Sequence, residues 1–221
     1  MDNITRDLLN NGTLARYISS ELSVTGLTSN PTIFDHAISK SAAYDADVSS
    51  LAAKGAATED LFFELAIADL TRAADLFRPV FDRTAGVDGW VSLEVSPLLA
   101  YDTKQTLAAA RRLHAKAARP NLFIKIPGTP EGNPAIEEAI FQGVPINVTL
   151  LFSTDQYQAS AEAYLRGLSA AWLRASVPMC AQWLPCSSAA GTKRRWRSCR
   201  PICATSSASR WPSSPSVPIG S

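Results

Sequence analysis

Four short strand-like stretches carry their polar residues on a single parity, and this restricts the fold more than any other feature of the chain. They are LSVTGLTSNP (22–31), WVSLEV (90–95), NLFIKIP (121–127) and VPINVTLLF (144–152). Helical periodicity fills 42–53, 58 to about 81 with Thr58 as its cap, and 102 to about 118. It returns from Asn133-Pro134 to Gly143, and from a Ser153 cap to about Arg166. Residues 5–20 read as two short helical pieces around an Asn11-Gly12 turn. Strand and helix in alternation predict a parallel sheet covered by helices, as a closed barrel or an open doubly wound sheet. No G-x-G-x-x-G or P-loop follows any strand, which weakens the nucleotide-binding form.

Parity favours the barrel. Successive strand side chains point to opposite faces. Thr28, Asn30, Ser92, Glu94, Lys125, Asn147 and Thr149 fall on one face. Leu27, Leu93, Val95, Ile124, Ile126, Ile146, Val148 and Leu150 fall on the other, which would meet the helices. The polar set lies near the strand C-termini, where barrel active sites are built. Its bland counterpart is a group of interior polar residues that satisfy one another.

Lys125 stands alone among apolar neighbours. In a dry pocket an ammonium is penalised and the free amine becomes a nucleophile toward carbonyls. Lys125 is therefore the candidate Schiff-base residue, the alternative being a strand-end lysine reaching water or a phosphate. Loss of water from a carbinolamine needs an acid, and Glu94 is the one carboxylate on the inward face of these strands. Its other possible role is a salt bridge to Lys125. The iminium then withdraws electrons so that a neighbouring C–C bond can break, which is class I aldol chemistry and needs no metal or cofactor. Asn30, Asn147 and Thr28 can bind substrate hydroxyls, Thr149 can hold the catalytic water, and Asp2 can take the proton of the hydroxyl whose C–C bond breaks.

Other patterns point away from alternative chemistry. His36 and His114 stand apart, and Cys180, Cys186, Cys199 and Cys203 contain no C-x-x-C, so no metal set is predicted. The loop 128–132 can approach a phosphate but reads as a plain strand-to-helix connection. No apolar run reaches the length of a membrane span, the first residues are too polar for a signal peptide, and a cytoplasmic protein without specific nucleic-acid partners is expected. Oligomeric state is not legible.

The same residues resemble transaldolase of the bacterial form. TSNPTIF (28–34), SLEVSP (92–97), NLFIKIPGTPEGNPAIEEAI (121–140) and GVPINVTLLFS (143–153) carry the likeness, which runs from Asp2 to Leu168. The resemblance implies a (β/α)8 TIM-type barrel and Schiff-base transfer of a dihydroxyacetone unit between sugar phosphates in the non-oxidative pentose phosphate pathway. It implies Lys125 as the Schiff base, Glu94 and Thr149 handling the water, Asp2 as the cleavage base, and Asn30 and Asn147 orienting the three-carbon unit. The barrel is expected to be incomplete, with strands two to five recognisable and strand one and strands six to eight missing or scrambled.

Composition marks the far boundary. All 20 acidic residues precede Leu168, against 14 Lys and Arg there, while the rest of the chain holds 7 Lys and Arg, no acid and all four cysteines. Residues 1–168 are thus expected to be a partial barrel and 169–221 an atypical Ser/Pro/Arg/Cys-rich tail, disordered and read in a shifted frame. Restoring one base after the Leu168 codon allows a sensible helix continuation, and allows residues 182–192 to encode a sixth strand. An open barrel predicts poor solubility and little activity. Two further readings stay open: an inactive remnant of the enzyme, or a related class I aldolase that releases the three-carbon unit to water.

Overall fold

The computed structural model describes residues 1–176, and the four cysteines and the 182–192 segment lie outside them. A four-stranded parallel sheet forms in sequence order: β1 (Gly26–Thr28), β2 (Trp90–Glu94), β3 (Leu122–Pro127) and β4 (Ile146–Thr149). The helices are α1 (Arg6–Asn10), α2 (Thr13–Arg16), α3 (Pro31–Lys40), α4 (Asp45–Ala53), α5 (Thr58–Arg83), α6 (Thr103–Ala117), α7 (Gly132–Phe141) and α8 (Thr154–Ser176). The chain is an α/β protein of parallel strands joined by helical crossovers, as the alternation predicts.

Strand parity explains the packing. Leu27, Val91, Leu93, Leu122, Ile124, Ile126 and Ile146 are buried in one apolar cluster with residues of α5, α6 and α7. Each such side chain contributes roughly 1.5–3 kcal/mol on leaving water. The opposite face carries Trp90 and Phe123, stacked with ring centroids 3.9 Å apart, and then the polar set toward the strand C-termini. Gly89 makes the entry to β2 possible. Its φ is +84°, and a Cβ there would lie 2.4 Å from the backbone nitrogen of Phe81.

Several boundaries differ from the sequence expectation. β1 is shorter than 22–31 because a π-helical turn over Tyr17–Glu21 and a left-handed Ser23 precede it. Its expected end, Asn30-Pro31, is instead the start of α3: the Asn30 side chain accepts from the Ile33 N–H at 2.9 Å, and Pro31 sits in the first turn. β4 stops at Thr149 rather than Phe152, because Leu150 turns to φ +60°. Thr58 is the first residue of α5 and makes no capping bond. α7 starts at Gly132, one residue ahead of Asn133-Pro134. Helix α8 continues ten residues beyond Arg166, through the composition break at Leu168. Met1 pairs in extended form beside β1: its amino group donates to Gly26 O and its carbonyl accepts from Thr28 N–H, both at 2.9 Å.

A buried polar knot ties the N-terminal helices to α5. Arg6 Nε donates to Asp69 Oδ1 at 3.0 Å, and the Tyr44 hydroxyl donates to Asp69 Oδ2 at 2.7 Å. The Arg6 N–H donates to the Tyr44 hydroxyl at 3.0 Å, and the guanidinium lies over the Tyr44 ring. Burial works against the Arg6 charge, but Asp69 and Asp47 offset it and its pKa is raised. Burial, followed by Asp69, pushes the Tyr44 hydroxyl up as well.

His114, near the end of α6, gives a pH prediction. Burial lowers its pKa, and its Nε2 has no hydrogen-bond partner among the described residues. The folded chain thus binds a proton here less readily than the unfolded chain, so this contribution is fully present above the unfolded value of about 6.5. It is lost as pH falls from there through the lowered folded value. Melting temperature should therefore drop more between pH 7.5 and 5 in the wild type than in His114→Gln. Equal drops would remove His114 from the account.

Candidate active site

One register row joins three of the expected residues. Glu94 on β2 pairs with Lys125 on β3, and Lys125 pairs with Asn147 on β4. Parallel pairing without a slip lets three separate strands present a carboxylate, an amine and an amide side by side. Lys125 Nζ lies 3.1 Å from Glu94 Oε2, and each side chain is 13% exposed. Lys125 Nζ also donates to the Ser29 carbonyl at 3.2 Å. The lysine therefore does not reach out to bulk water, and the salt bridge to Glu94 that the sequence left as an alternative is formed.

Asp2 and Thr28 form a second group. The Thr28 hydroxyl donates to Asp2 Oδ1 at 2.7 Å, and Thr28 pairs in register with Ser92, two residues before Glu94. Asp2 is anchored here because Met1 pairs with β1, although Asp2 itself is exposed. Asp2, Thr28, Ser92 and Asn147 line one cavity of about 430 Å3, with Trp90 and Phe123 also on its wall. Thr149 ends β4 opposite Pro127, and its carbonyl accepts from the Gly128 N–H at 2.8 Å. Its hydroxyl makes no hydrogen bond among the described residues. Asn30 is partly committed: Oδ1 caps α3, which leaves the amide N–H2 to donate.

Two serines belong to this arrangement to which the sequence assigned no role. Ser29 Oγ donates to the Ser92 carbonyl at 2.8 Å, and Asn147 Nδ2 donates to Ser92 Oγ at 3.2 Å. Ser92 shares the parity of Glu94, which was the signal available. Ser29 has the opposite parity and gave none. Among the described residues no group of His, Cys, Asp and Glu has the form of a metal site, and no helix is long and apolar enough to cross a membrane.

This geometry suits carbonyl chemistry. A carboxylate in contact with an ammonium can accept its proton, which leaves an amine able to attack a carbonyl. The sequence profile of the transaldolase/fructose-6-phosphate aldolase family matches residues 1–182. The chain belongs to this family. A transaldolase of Thiobacillus denitrificans is 49% identical over 168 residues, covering 76% of this chain and 46% of that protein. A transaldolase of Saccharopolyspora erythraea is 48% identical over 171 residues, covering 77% and 46% respectively. Transaldolase 2 of Nostoc punctiforme is 44% identical over 168 residues, covering 76% and 44%. The chain thus spans about half the length of the curated relatives it matches.

Proposed function

We propose that the site carries out Schiff-base transfer of a dihydroxyacetone unit between sugar phosphates, the transaldolase reaction. The observation that supports this best is the Lys125–Glu94 pair, held in register between the last residue of β2 and the second half of β3. Glu94 takes the ammonium proton, and the free Lys125 amine attacks the ketone carbon of the donor, sedoheptulose 7-phosphate or fructose 6-phosphate. Glu94 then returns a proton to the carbinolamine hydroxyl, water leaves, and the C=N+ bond forms. A water held by Thr149 carries the proton between them. Asp2 removes the proton of the C4 hydroxyl, and the C3–C4 bond breaks. Its electron pair moves into the enamine, and an aldose phosphate departs. Asn30, Asn147 and Thr28 hold the hydroxyls of the retained unit. The enamine adds to erythrose 4-phosphate or glyceraldehyde 3-phosphate, and water releases the product from Lys125.

The sheet β1–β4 would be strands two to five of a (β/α)8 barrel. Residues 1–168 would form its catalytic part, with 169–221 a distinct tail in a shifted frame. Resequencing codons 160–195 checks the frame: an extra base would restore the sixth strand, and an unchanged sequence would remove that explanation. The pentose phosphate pathway rests on the resemblance alone, and the cytoplasm on the polar first residues of the sequence.

The pairing of amine and acid favours an enzyme over an inactive remnant, because both partners of the dehydration step are in contact. Sedoheptulose 7-phosphate and glyceraldehyde 3-phosphate should yield erythrose 4-phosphate and fructose 6-phosphate at a rate above that of Lys125→Ala. Omitting the acceptor should stop turnover. Release of free dihydroxyacetone without acceptor would indicate the aldolase variant, and no cleavage above the Lys125→Ala control would defeat the proposal.

A further inference from the structure

We propose that Ser29 and Ser92 are positioning residues that hold the Lys125 amine and the Asn147 amide at a fixed separation; this rests on the Schiff-base reading above. Three hydrogen bonds connect the two groups through these serines. Lys125 Nζ donates to the Ser29 carbonyl at 3.2 Å, Ser29 Oγ donates to the Ser92 carbonyl at 2.8 Å, and Asn147 Nδ2 donates to Ser92 Oγ at 3.2 Å. Ser29 is 1% exposed and Ser92 2% exposed. A hydroxyl this deep costs free energy unless it is bonded, so both hydroxyls are held to their partners.

The chemistry needs this separation. The amine must approach the ketone carbon while an amide holds a hydroxyl of the same small molecule. Shifts of about 1 Å in such an arrangement lower rates by up to about a hundredfold. The Ser29 carbonyl aims the amine from behind, and Ser29 Oγ anchors that carbonyl to β2. Ser92 Oγ fixes one amide proton of Asn147, which selects the amide orientation and leaves the other proton and the oxygen for the substrate. Ser29 does not line the cavity, and Ser92, on its wall, is 2% exposed with its hydroxyl oxygen committed to Asn147, so the serines act through Lys125 and Asn147.

The test is the rate at which borohydride traps an adduct with fructose 6-phosphate, followed by intact mass. Wild type, Ser92→Ala, Asn147→Ala and the double variant are compared, with melting temperature recorded for each. Ser92→Ala should slow trapping about tenfold. The double variant should be no slower than Asn147→Ala alone, because Ser92 acts through that amide. Ser92→Thr, which keeps the hydroxyl, should recover most of the rate. A general loss of structure would instead slow trapping in both backgrounds and would not be rescued in this way. Ser29→Ala is the second variant: it leaves the Asn147–Ser92 bond intact, frees the Ser29 carbonyl, and should also slow trapping about tenfold. Wild-type trapping rates in both alanine variants, or fully additive losses in the double variant, would overturn the proposal. Absence of any adduct in the wild type would overturn the Schiff-base reading itself, and this inference with it.

Discussion

Glu94→Gln should slow adduct formation at Lys125 by roughly 10²–10⁴-fold, the range that positioned acid–base groups contribute. Glutamine keeps the shape of the side chain and still offers an oxygen to Lys125 Nζ, so the contact now seen at 3.1 Å can persist. It cannot accept the ammonium proton or return one to the carbinolamine. The loss should therefore appear in the rate of trapping, with little change in melting temperature. Glu94→Asp should retain more activity than Glu94→Gln, because it keeps the proton-carrying group at the cost of one methylene of reach. If Glu94→Gln trapped at the wild-type rate, Glu94 would be a salt-bridge partner only, and the proton carrier would have to be sought elsewhere.

The second large effect lies away from the chemistry. Asp69→Ala should destabilise the fold by about 3–5 kcal/mol, because it leaves a buried guanidinium without its main partner. Arg6 and Asp69 have side chains 9% and 1% exposed, so solvent does little to soften the loss. Tyr44 loses its acceptor in the same substitution. Asp47 still meets the Arg6 guanidinium at 2.5 Å, but that carboxylate is 56% exposed and offsets little. The N-terminal helices would come away from α5, and with them the anchor that holds Asp2 beside Thr28. Denaturant titration measures the change. Asp69→Asn, which keeps the shape and one acceptor, should cost less than Asp69→Ala, and equal stability of wild type and Asp69→Ala would refute the knot.

The sheet and the row of candidate side chains across it were legible because both depend on period two. Glu94, Lys125 and Asn147 share a parity, and parallel register then sets them in one row. Elements governed by backbone twists were less visible. A left-handed Leu150 ends β4 early, and a left-handed Ser23 helps delay β1; neither residue type announces that conformation. Helix α3 did have a signal, since Asn before Pro is a strong helix start, but the same pair also reads as a turn after a strand. The Arg6–Asp69–Tyr44 knot joins residues 63 and 25 positions apart, and no local pattern reports such a pairing. Ser29 was hidden for a different reason. It lies just past β1, where alternation no longer decides which way a side chain points.

The most direct measurement is mass mapping of the borohydride-trapped adduct. The protein is incubated with fructose 6-phosphate, reduced, digested and sequenced by tandem mass spectrometry. A reduced three-carbon adduct is expected on Lys125, absent from Lys125→Ala and absent without the ketose phosphate. An adduct on another lysine, or none in the wild type under conditions that leave it folded, would contradict the claim that Lys125 is the Schiff-base residue.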